Sequence, residues 1–389
     1  TLTFAHFGSH QPSIGVAHRL RRTLDRSLAA GYSNAMPTST LLATLRHRDP
    51  SVLPNPAVTR RSACLLGLGI VGGHALAATQ PPRSHATAEA DAESPEPETA
   101  WRSRLFAPTH VTKLDGVYFI VDCWNHRCLY AHAWSDDLAD WRTLDEQLAG
   151  PHSIATDGRL FVVEDTGHHG LRVYRRDGER FAYLHDVGGL GERTHRVVYD
   201  AATAAFFVVA SNSQHLARLE ADGDRLRLID IRELSFLEGR YTRSMTLDGE
   251  TMLFVAGPDR ITRTTYRDGR YRVLATYRVP EGFASMNDVY HASDGWWYLT
   301  ATPQRIVRSP SLEALDAGRH QDLYDALGFD GTPYYLDEFD GRLFIPQITQ
   351  HNGVLSFRLG PDGPTDRRVH FDFGQPTAVD WHRYSQWPK

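Results

Sequence analysis

A segment of about 45 residues recurs along this chain, and it restricts the possible folds more than any other feature of the sequence. Each copy joins short apolar runs through turns that contain glycine. The six full copies begin near Pro108, Pro151, His195, Thr242, Met286 and Pro333. Tandem repeats of this length, with four strands each, are typical of β-propellers, in which every repeat forms one blade.

Asp-Gly pairs mark the turns of the repeat. One series lies between the first and second apolar runs, at 115–116, 157–158, 248–249, 294–295 and 340–341. An Asp-Gly pair between apolar runs predicts a β-hairpin with a type I′ turn, because that turn needs a positive φ at both central residues. All of these turns are expected at one end of the blades.

The copies fill residues 107–374 and predict an all-β, six-bladed β-propeller with four-stranded antiparallel blades. The remaining fragment, 375–389, opens like a repeat but is too short for a blade. We expect it to close the ring by adding a strand beside the N-terminal segment. A seven-bladed ring, with its closing blade shared between the two ends of the chain, is the alternative.

The first hundred residues differ in composition from the repeats. Residues 1–77 are rich in Arg and poor in acids, and Arg60-Arg61 precede a short apolar run ending in Ala75-Leu76-Ala77. This combination predicts a targeting leader with a twin-arginine-type signal. Residues 78–100 are rich in Ala, Pro and acids and predict a disordered linker, which leaves 101–389 for the propeller.

Such a signal predicts an exported protein, in a bacterial periplasm or outside the cell. A thylakoid lumen is the alternative, because the long leader would then be a transit peptide. The apolar run is too short for a stable membrane anchor. The formal net charge of −5 shows no basic excess for binding nucleic acid.

Cys123 and Cys128 flank a tight segment of the first repeat. If that segment turns a hairpin, the two sulfur atoms could face each other, and an oxidising compartment would favour a disulfide. Two buried free thiols are the other interpretation, and the sequence leaves both open.

The face opposite the Asp-Gly turns receives the starts of the first strands and the loops between the second and third strands. Counting back five residues from Asp115, Asp157, Asp200 and Asp248 gives His110, His152, His195 and Arg243. We therefore predict that these four share one position in consecutive blades, around the mouth of the central channel. In blade five Asn287 or Asp288 is expected nearby, and in blade six Tyr334.

The loops of this face add further candidate ligand-binding residues, because sites are often built on loops held by a rigid scaffold. They are Asp165, Asn212 and Gln347.

Three imidazoles at one position predict a site for a divalent transition metal such as zinc, with His110, His152 and His195 as ligands. Arg243 could hold a carboxylate or another oxyanion, and Tyr334 could act as an acid or a base. The same side chains could also bind a small polar or anionic ligand without a metal.

Two repeats carry a further likeness. VEDTGHHGLRVYRRDGERF, and more closely VDCWNHRCLY with Asn125-His126-Arg127, resemble the NHL-type repeat. The likeness covers two of the six blades well and implies a fold, not a function. Three histidine ligands with a nearby Arg and Tyr are also similar in layout to the site of peptidylamidoglycolate lyases, which are built on NHL-type rings.

Two functions remain open at this point. One is an exported metal-assisted lyase or hydrolase that acts on a small polar or anionic substrate. The other is a non-catalytic propeller that binds a protein, a peptide or a glycan on its loop-rich face. A broad exposed apolar patch on that face would favour the second function. The sequence does not indicate an oligomeric state.

Overall fold

Apolar runs separated by glycine-containing turns form antiparallel sheets throughout the described part of the chain. The computed structural model describes residues 99–280, 282–283 and 285–386. Its strands form six separate sheets, five of four strands and a last one of five. The chain is a six-bladed β-propeller, as the repeat predicts, and the seven-bladed alternative is wrong.

Each blade is built from consecutive strands. Blade one holds β1 (Pro108–Leu114), β2 (Val117–Asp122), β3 (Arg127–Ala131) and β4 (Arg142–Asp145). Blade two holds β5 (Ile154–Thr156), β6 (Leu160–Asp165), β7 (Gly170–Asp177) and β8 (Arg180–Val187). Blade three holds β9 (Thr194–Asp200), β10 (Ala205–Ala210), β11 (His215–Asp222) and β12 (Arg225–Glu233).

The second half repeats this plan. Blade four holds β13 (Thr242–Asp248), β14 (Thr251–Ala256), β15 (Arg260–Thr265) and β16 (Val273–Arg278). Blade five holds β17 (Ser285–His291), β18 (Trp297–Thr302), β19 (Arg305–Ser309) and β20 (Gln321–Asp322). Blade six holds β21 (Thr332–Pro333), β22 (Asp337–Phe339), β23 (Arg342–Ile348), β24 (Asn352–Arg358) and β25 (Thr365–Gly374). The helices are α1 (Leu312–Asp316) and α2 (Ala378–Ser385), with short 3₁₀ helices at Ala100–Ser103, Cys123–Asn125, Leu138–Asp140, Thr166–His168 and Ser235–Leu237.

The core lies between neighbouring blades. Every residue of β2, β6 and β10 is buried, because blades cover both faces of these strands. Between blades one and two, for example, the ring of Phe119 lies 5.6 Å from that of Phe161 and 5.6 Å from that of Phe181. Apolar side chains on both sides of a strand therefore hold each blade to the next.

The Asp-Gly turns are less uniform than predicted. Among the described pairs, only Asp115-Gly116 and Asp340-Gly341 have a positive φ at both residues, as a type I′ turn requires. In the other pairs only the glycine has a positive φ. Blade four, for instance, keeps Asp248 within β13 and turns at Gly249-Glu250. The pair thus marks the hairpin correctly but not its register.

The C-terminal fragment corrects another prediction, because its described part, up to residue 386, forms α2 and adds no strand. Thr377 caps this helix: its hydroxyl accepts a hydrogen bond from the Asp380 amide, and the Asp380 carboxylate accepts one from the Thr377 amide. This reciprocal capping box favours a helix over an extended strand. Asp380 is buried 3.5 Å from the Arg104 guanidinium, so α2 is tied to the segment that enters blade one.

Blades one and six close the ring by packing. Val111 and Ile120 of blade one belong to one apolar cluster with Phe344 and Val354 of blade six. The Ala107 amide also donates a hydrogen bond to the Asn352 side chain, 2.9 Å away. Closure therefore rests on packing and on single hydrogen bonds between the two blades rather than on a shared sheet.

Several sequence predictions fall on the N-terminal region. The predicted leader and nearly all of the predicted linker lie outside the described residues.

Cys123 and Cys128 are buried free thiols, which decides between the two interpretations of that pair. Among the described helices, none is long and apolar enough to cross a membrane.

Candidate functional site

Irregularities at the starts of the innermost strands create the candidate site. The pairing of β9 with β10, β13 with β14 and β17 with β18 skips one residue each, at His195, Arg243 and Asn287. A β-bulge of this kind leaves one residue unpaired and changes the direction of its side chain. Thr109 is the skipped residue of β1. The same position in all six blades, called here the mouth ring, is filled by Thr109, His152, His195, Arg243, Asn287 and Tyr334.

A second ring, one residue further along each strand, is defined by bonds between blades. The His110 Nδ1 atom accepts from the Ile154 amide at 3.4 Å, Ser153 Oγ from Val197 at 2.9 Å and Asp288 Oδ2 from Leu336 at 3.0 Å. The repeated pattern identifies this deeper ring as His110, Ser153, Arg196, Ser244, Asp288 and Tyr335.

The prediction that His110 shares a position with His152 and His195 is therefore wrong. In blade one the turn is Asp115-Gly116 itself, directly after Leu114, whereas in blade four Asp248 still pairs within the sheet. Counting back five residues from Asp115 therefore gives His110, which belongs to the deeper ring, whereas the same count in blade four gives Arg243 of the mouth ring. Because side chains alternate along a strand, a slip of one residue changes what a side chain faces.

The imidazoles of His152 and His195 do come together. Their ring centroids lie 4.0 Å apart with the planes tilted by 36°. The Nδ1 atom of His152 lies 2.7 Å from the Thr166 hydroxyl, and that of His195 lies 2.7 Å from the Tyr335 hydroxyl. Burial holds the pKa of both imidazoles well below the usual value; the nearby arginines lower it further for His152, and His152 and then the arginines lower it further for His195. Both rings are therefore neutral near pH 7.

Two arginines supply the positive charge of the site. Arg243 donates from Nη1 to Asn287 Oδ1 at 2.8 Å, and Arg193 donates from Nε to the Tyr241 hydroxyl at 2.7 Å. Both guanidinium carbons lie 5.8 Å from the centroid of the Tyr241 ring. Both also lower the pKa of His152 and of His195, so their charges act on the same small volume.

Tyr334 completes the mouth ring from blade six. It is buried, with its ring 6.0 Å from that of His152 and 4.7 Å from that of Tyr335. Burial raises the pKa of its phenol, and the nearby Arg243 lowers it in part. The hydroxyl is therefore protonated at neutral pH and can act as a hydrogen-bond donor.

The remaining predicted ligand-binding residues serve the scaffold or lie apart. Asp288 accepts from Ser244 Oγ at 2.6 Å and so links two blades. Asp165 accepts from the Ala149 amide at 2.7 Å, and Gln347 accepts from the Gly331 amide at 2.9 Å. Asn212 is exposed. Of the predicted ligand-binding set, only Asn287 belongs to the mouth ring.

Three residues at the site were missed by sequence reasoning. Arg193 precedes β9, and Cys123 has its Sγ 3.7 Å from the His152 Nε2 atom. Glu164 lies in the middle of blade two and is completely buried. Its position in β6 corresponds to Val121 in β2, so a carboxylate where the neighbouring blade carries an apolar residue was the available signal.

The geometry does not complete the predicted metal site. Among the described residues, no group of three or more His, Cys, Asp or Glu side chains is arranged to hold a metal ion. His110 lies instead with its Nε2 atom 3.9 Å from Asp337 Oδ2 in the deeper part of the channel.

Two surface clefts among the described residues lie away from the mouth ring. One of about 500 Å³ lies between Asp136 and Phe373, and one of about 520 Å³ lies between Arg142 and Phe181. Neither is lined by a mouth-ring residue. The clustered imidazoles of His152 and His195 and the guanidiniums of Arg193 and Arg243, rather than either of these clefts, mark the candidate site.

Comparison with known proteins agrees with the fold and adds no function. No protein-family model matches the chain, and no curated protein matches it. The chain is similar in structure to a Bacteroides uniformis protein provisionally named a 6-phosphogluconolactonase, with 13% identity, a TM-score of 0.50, and coverage of 70% of this chain and 86% of that one. A Bacteroides fragilis protein given the same provisional name has 12% identity and a TM-score of 0.49, with coverage of 70% and 85%. A chain of a nidogen–laminin complex has 11% identity and a TM-score of 0.47, with coverage of 64% and 92%. Of these three, only the Bacteroides uniformis protein reaches a TM-score of 0.50, and at 13% identity it shows a shared fold alone.

Proposed function

We propose that the mouth ring binds a small anionic substrate and that the protein is a hydrolase or a lyase acting on it. One observation carries the proposal: two guanidiniums and two neutral imidazoles act on the same volume at one end of the channel. A carboxylate or another oxyanion suits Arg193 and Arg243, because a planar guanidinium donates two parallel hydrogen bonds to such groups.

The imidazoles supply the acid–base chemistry. A neutral histidine can accept a proton from water or from a substrate hydroxyl, and burial keeps His152 and His195 neutral. The protonated hydroxyl of Tyr334 can donate to a developing negative charge on the substrate. In a hydrolysis, His152 would take a proton from the attacking water and return it to the leaving oxygen.

A metal ion stays a separate proposal. The described residues do not form a three-ligand cluster, so no step is assigned to a metal. Metal content of the purified protein, compared with that of His152→Ala, tests the proposal directly: about one equivalent lost in the variant would support it.

The surface gives less support to the alternative of a non-catalytic propeller that binds a macromolecule. Most large apolar residues that are exposed lie on the outermost strands, such as Leu228 on β12 and Leu274 on β16. At the loop-rich end the described residues expose Trp381, which is 49% accessible. One tryptophan is not the broad patch that a macromolecular partner would need.

Ligand binding tests the proposed function. Thermal unfolding is followed with small hydroxycarboxylates, lactones and inorganic phosphate as probes, and any ligand that stabilises the fold is then assayed for turnover. We expect stabilisation by a carboxylate probe and loss of at least about tenfold in affinity for Arg243→Gln.

Arg305→Gln is the matched control, because Arg305 is exposed in blade five and pairs with Asp322. This variant should bind like the wild type. Equal affinities for wild type and Arg243→Gln, or no response to any anionic probe, would overturn the proposal.

A further inference from the structure

Glu164 is a buried carboxyl group surrounded by hydrogen-bond donors. Its Oε2 atom accepts from the His152 amide at 2.9 Å, and its Oε1 atom accepts from the Thr194 hydroxyl at 2.8 Å. The Thr166 hydroxyl lies 2.8 Å from Oε1 and 3.0 Å from Oε2. Burial raises the pKa of the Glu164 carboxyl well above its usual value, whereas the hydrogen bonds from Thr194, Thr166 and the His152 amide lower it. In the ionised form, which these three donors favour, Glu164 has no proton to donate, so each of these contacts uses a hydrogen atom from the partner.

This arrangement determines how Thr166 bonds to His152. A hydroxyl group has one hydrogen, and beside an ionised Glu164 the Thr166 hydroxyl donates it to the carboxylate. The 2.7 Å contact between Thr166 Oγ1 and His152 Nδ1 must then use a hydrogen atom from the imidazole. The proton of the neutral ring therefore lies on Nδ1, and the lone pair lies on Nε2.

The environment of Nε2 agrees with that assignment. The Cys123 Sγ atom is 3.7 Å away. Burial raises the pKa of the Cys123 thiol well above its usual value. A protonated thiol is a weak donor and suits a nitrogen that carries a lone pair.

We propose that Glu164 is a positioning residue that acts through Thr166 to hold His152 as the Nδ1–H tautomer, with the Nε2 lone pair available to the mouth ring. When Nε2 takes a proton from water or from a substrate hydroxyl, the ring becomes an imidazolium that donates from Nδ1 to Thr166. The carboxylate of Glu164, at the other end of the same chain of hydrogen bonds, stabilises that positive charge. His152 keeps its Nδ1 proton throughout, and the proton on Nε2 leaves with the product.

The tautomer of His152 can be measured without a substrate. Only the catalytic part of this inference, proton transfer by His152, rests on the proposed function. The probe is the nitrogen-15 NMR spectrum of the histidine side chains of the full chain at mildly alkaline pH. The signals of His152 are assigned by their loss in His152→Gln. We expect a protonated Nδ1 and an unprotonated Nε2 in the wild type.

Glu164→Gln should reverse the chain of hydrogen bonds. The glutamine oxygen must still accept from the His152 amide, which leaves its NH₂ group beside Thr166 Oγ1. Thr166 would then accept from the amide and donate its own hydrogen to Nδ1. We expect the ring proton of His152 to move to Nε2 in this variant.

Three further variants separate positioning from packing. Thr166→Val removes the connecting hydroxyl and should leave a mixture of tautomers, and Thr166→Ser should restore the Nδ1–H form. Asp165→Asn is the matched control, because the neighbouring Asp165 bonds to Ala149 and His168 and makes no bond to His152. This control should leave the His152 spectrum unchanged.

The outcomes are distinct. A wild-type ring with its proton on Nε2 would overturn the inference, as would an unchanged tautomer in both Glu164→Gln and Thr166→Val. If Glu164→Gln does not fold, the Val and Ser variants of Thr166 decide the question. If the expected tautomers are found but no anionic probe binds, the positioning role of Glu164 is supported and the proposed function is wrong.

Discussion

At the scale of single residues, the candidate site is a set of neutral bases placed beside permanent cations. His152 and His195 lose their contact with water, and the guanidiniums of Arg193 and Arg243 oppose a second positive charge nearby. Both effects favour the unprotonated imidazole. The site therefore presents proton acceptors and a positive field together, which is the combination needed to bind an anion and remove a proton from it.

Those neutral histidines also make stability depend on pH. His110, His152 and His195 have folded-state pKa values well below 6.5, so the unfolded chain binds protons that the native protein does not. The contribution of these neutral histidines to the free energy of unfolding is complete above pH 6.5. It is lost as the pH falls below that value, by about 1.4 kcal/mol per pH unit for each histidine. Asp337, whose pKa burial raises to about 6, offsets part of this loss at lower pH.

Urea unfolding at several pH values between about 7 and about 5 measures the slope. His195→Gln removes one of the three groups, so the loss of stability on acidification should become shallower by about 1.4 kcal/mol per pH unit. An unchanged slope would mean that His195 is already protonated in the native state.

At the scale of elements, bulges and turns decide which side chains reach the channel. The skipped residues of β9, β13 and β17 enter the mouth ring because the sheet does not pair them. A regular strand would have left the same residues within the alternation of the sheet. The site thus depends on local departures from regular strand pairing, which recur from blade to blade.

Close approach of two backbone segments gives a prediction for blade six. A Cβ atom on Gly331 would lie 2.3 Å from the His351 carbonyl oxygen and 2.9 Å from that of Ile348. Because both obstacles are backbone atoms, Gly331→Ala should lower the free energy of unfolding by about 2 kcal/mol or more.

Gly188→Ala is the matched control, because a Cβ atom there would meet no atom within 4 Å. Urea unfolding of both variants gives the comparison. Equal stabilities would show that the loop before β21 can move away from the added methyl group.

At the scale of the whole molecule, the ring is closed without a shared strand. Blade six is complete by Gly374, and α2 then packs beside blade one. The Trp381 ring lies 5.1 Å from that of Phe106 and 5.7 Å from that of Trp124. The C-terminal helix thereby holds the segment that enters the first blade.

Loss of the buried carboxylate in α2 should weaken this closure. Asp380→Ala removes the capping box with Thr377 and the ion pair with Arg104. We expect a loss of about 2 kcal/mol in the free energy of unfolding, measured by urea or thermal denaturation. Asp372→Ala, which removes an exposed carboxylate bonded to His351, is the control and should have a much smaller effect. Equal losses would indicate that α2 does not stabilise the ring.

The sequence alone was sufficient for the architecture. The number of repeats, their length and their glycine turns predict six antiparallel blades, because each turn and each apolar run acts over a few residues. The same local information placed His152, His195, Arg243, Asn287 and Tyr334 at one end of the channel.

Tertiary structure decided what depends on register and on contacts between distant residues. His110 was placed one residue too shallow because Asp-Gly pairs occupy different positions in different turns. The fragment 375–389 looked like a strand but forms α2, whose cap and aromatic contacts outweigh the weak sequence pattern. The hydrogen bonds of Glu164 could not be predicted from the sequence, since the His152 amide reaches it only when blade two folds and the Thr194 hydroxyl only when blade three packs against blade two. Hydrogen bonds and packing across blades, which join residues far apart in the chain, supply the information that a local pattern does not contain.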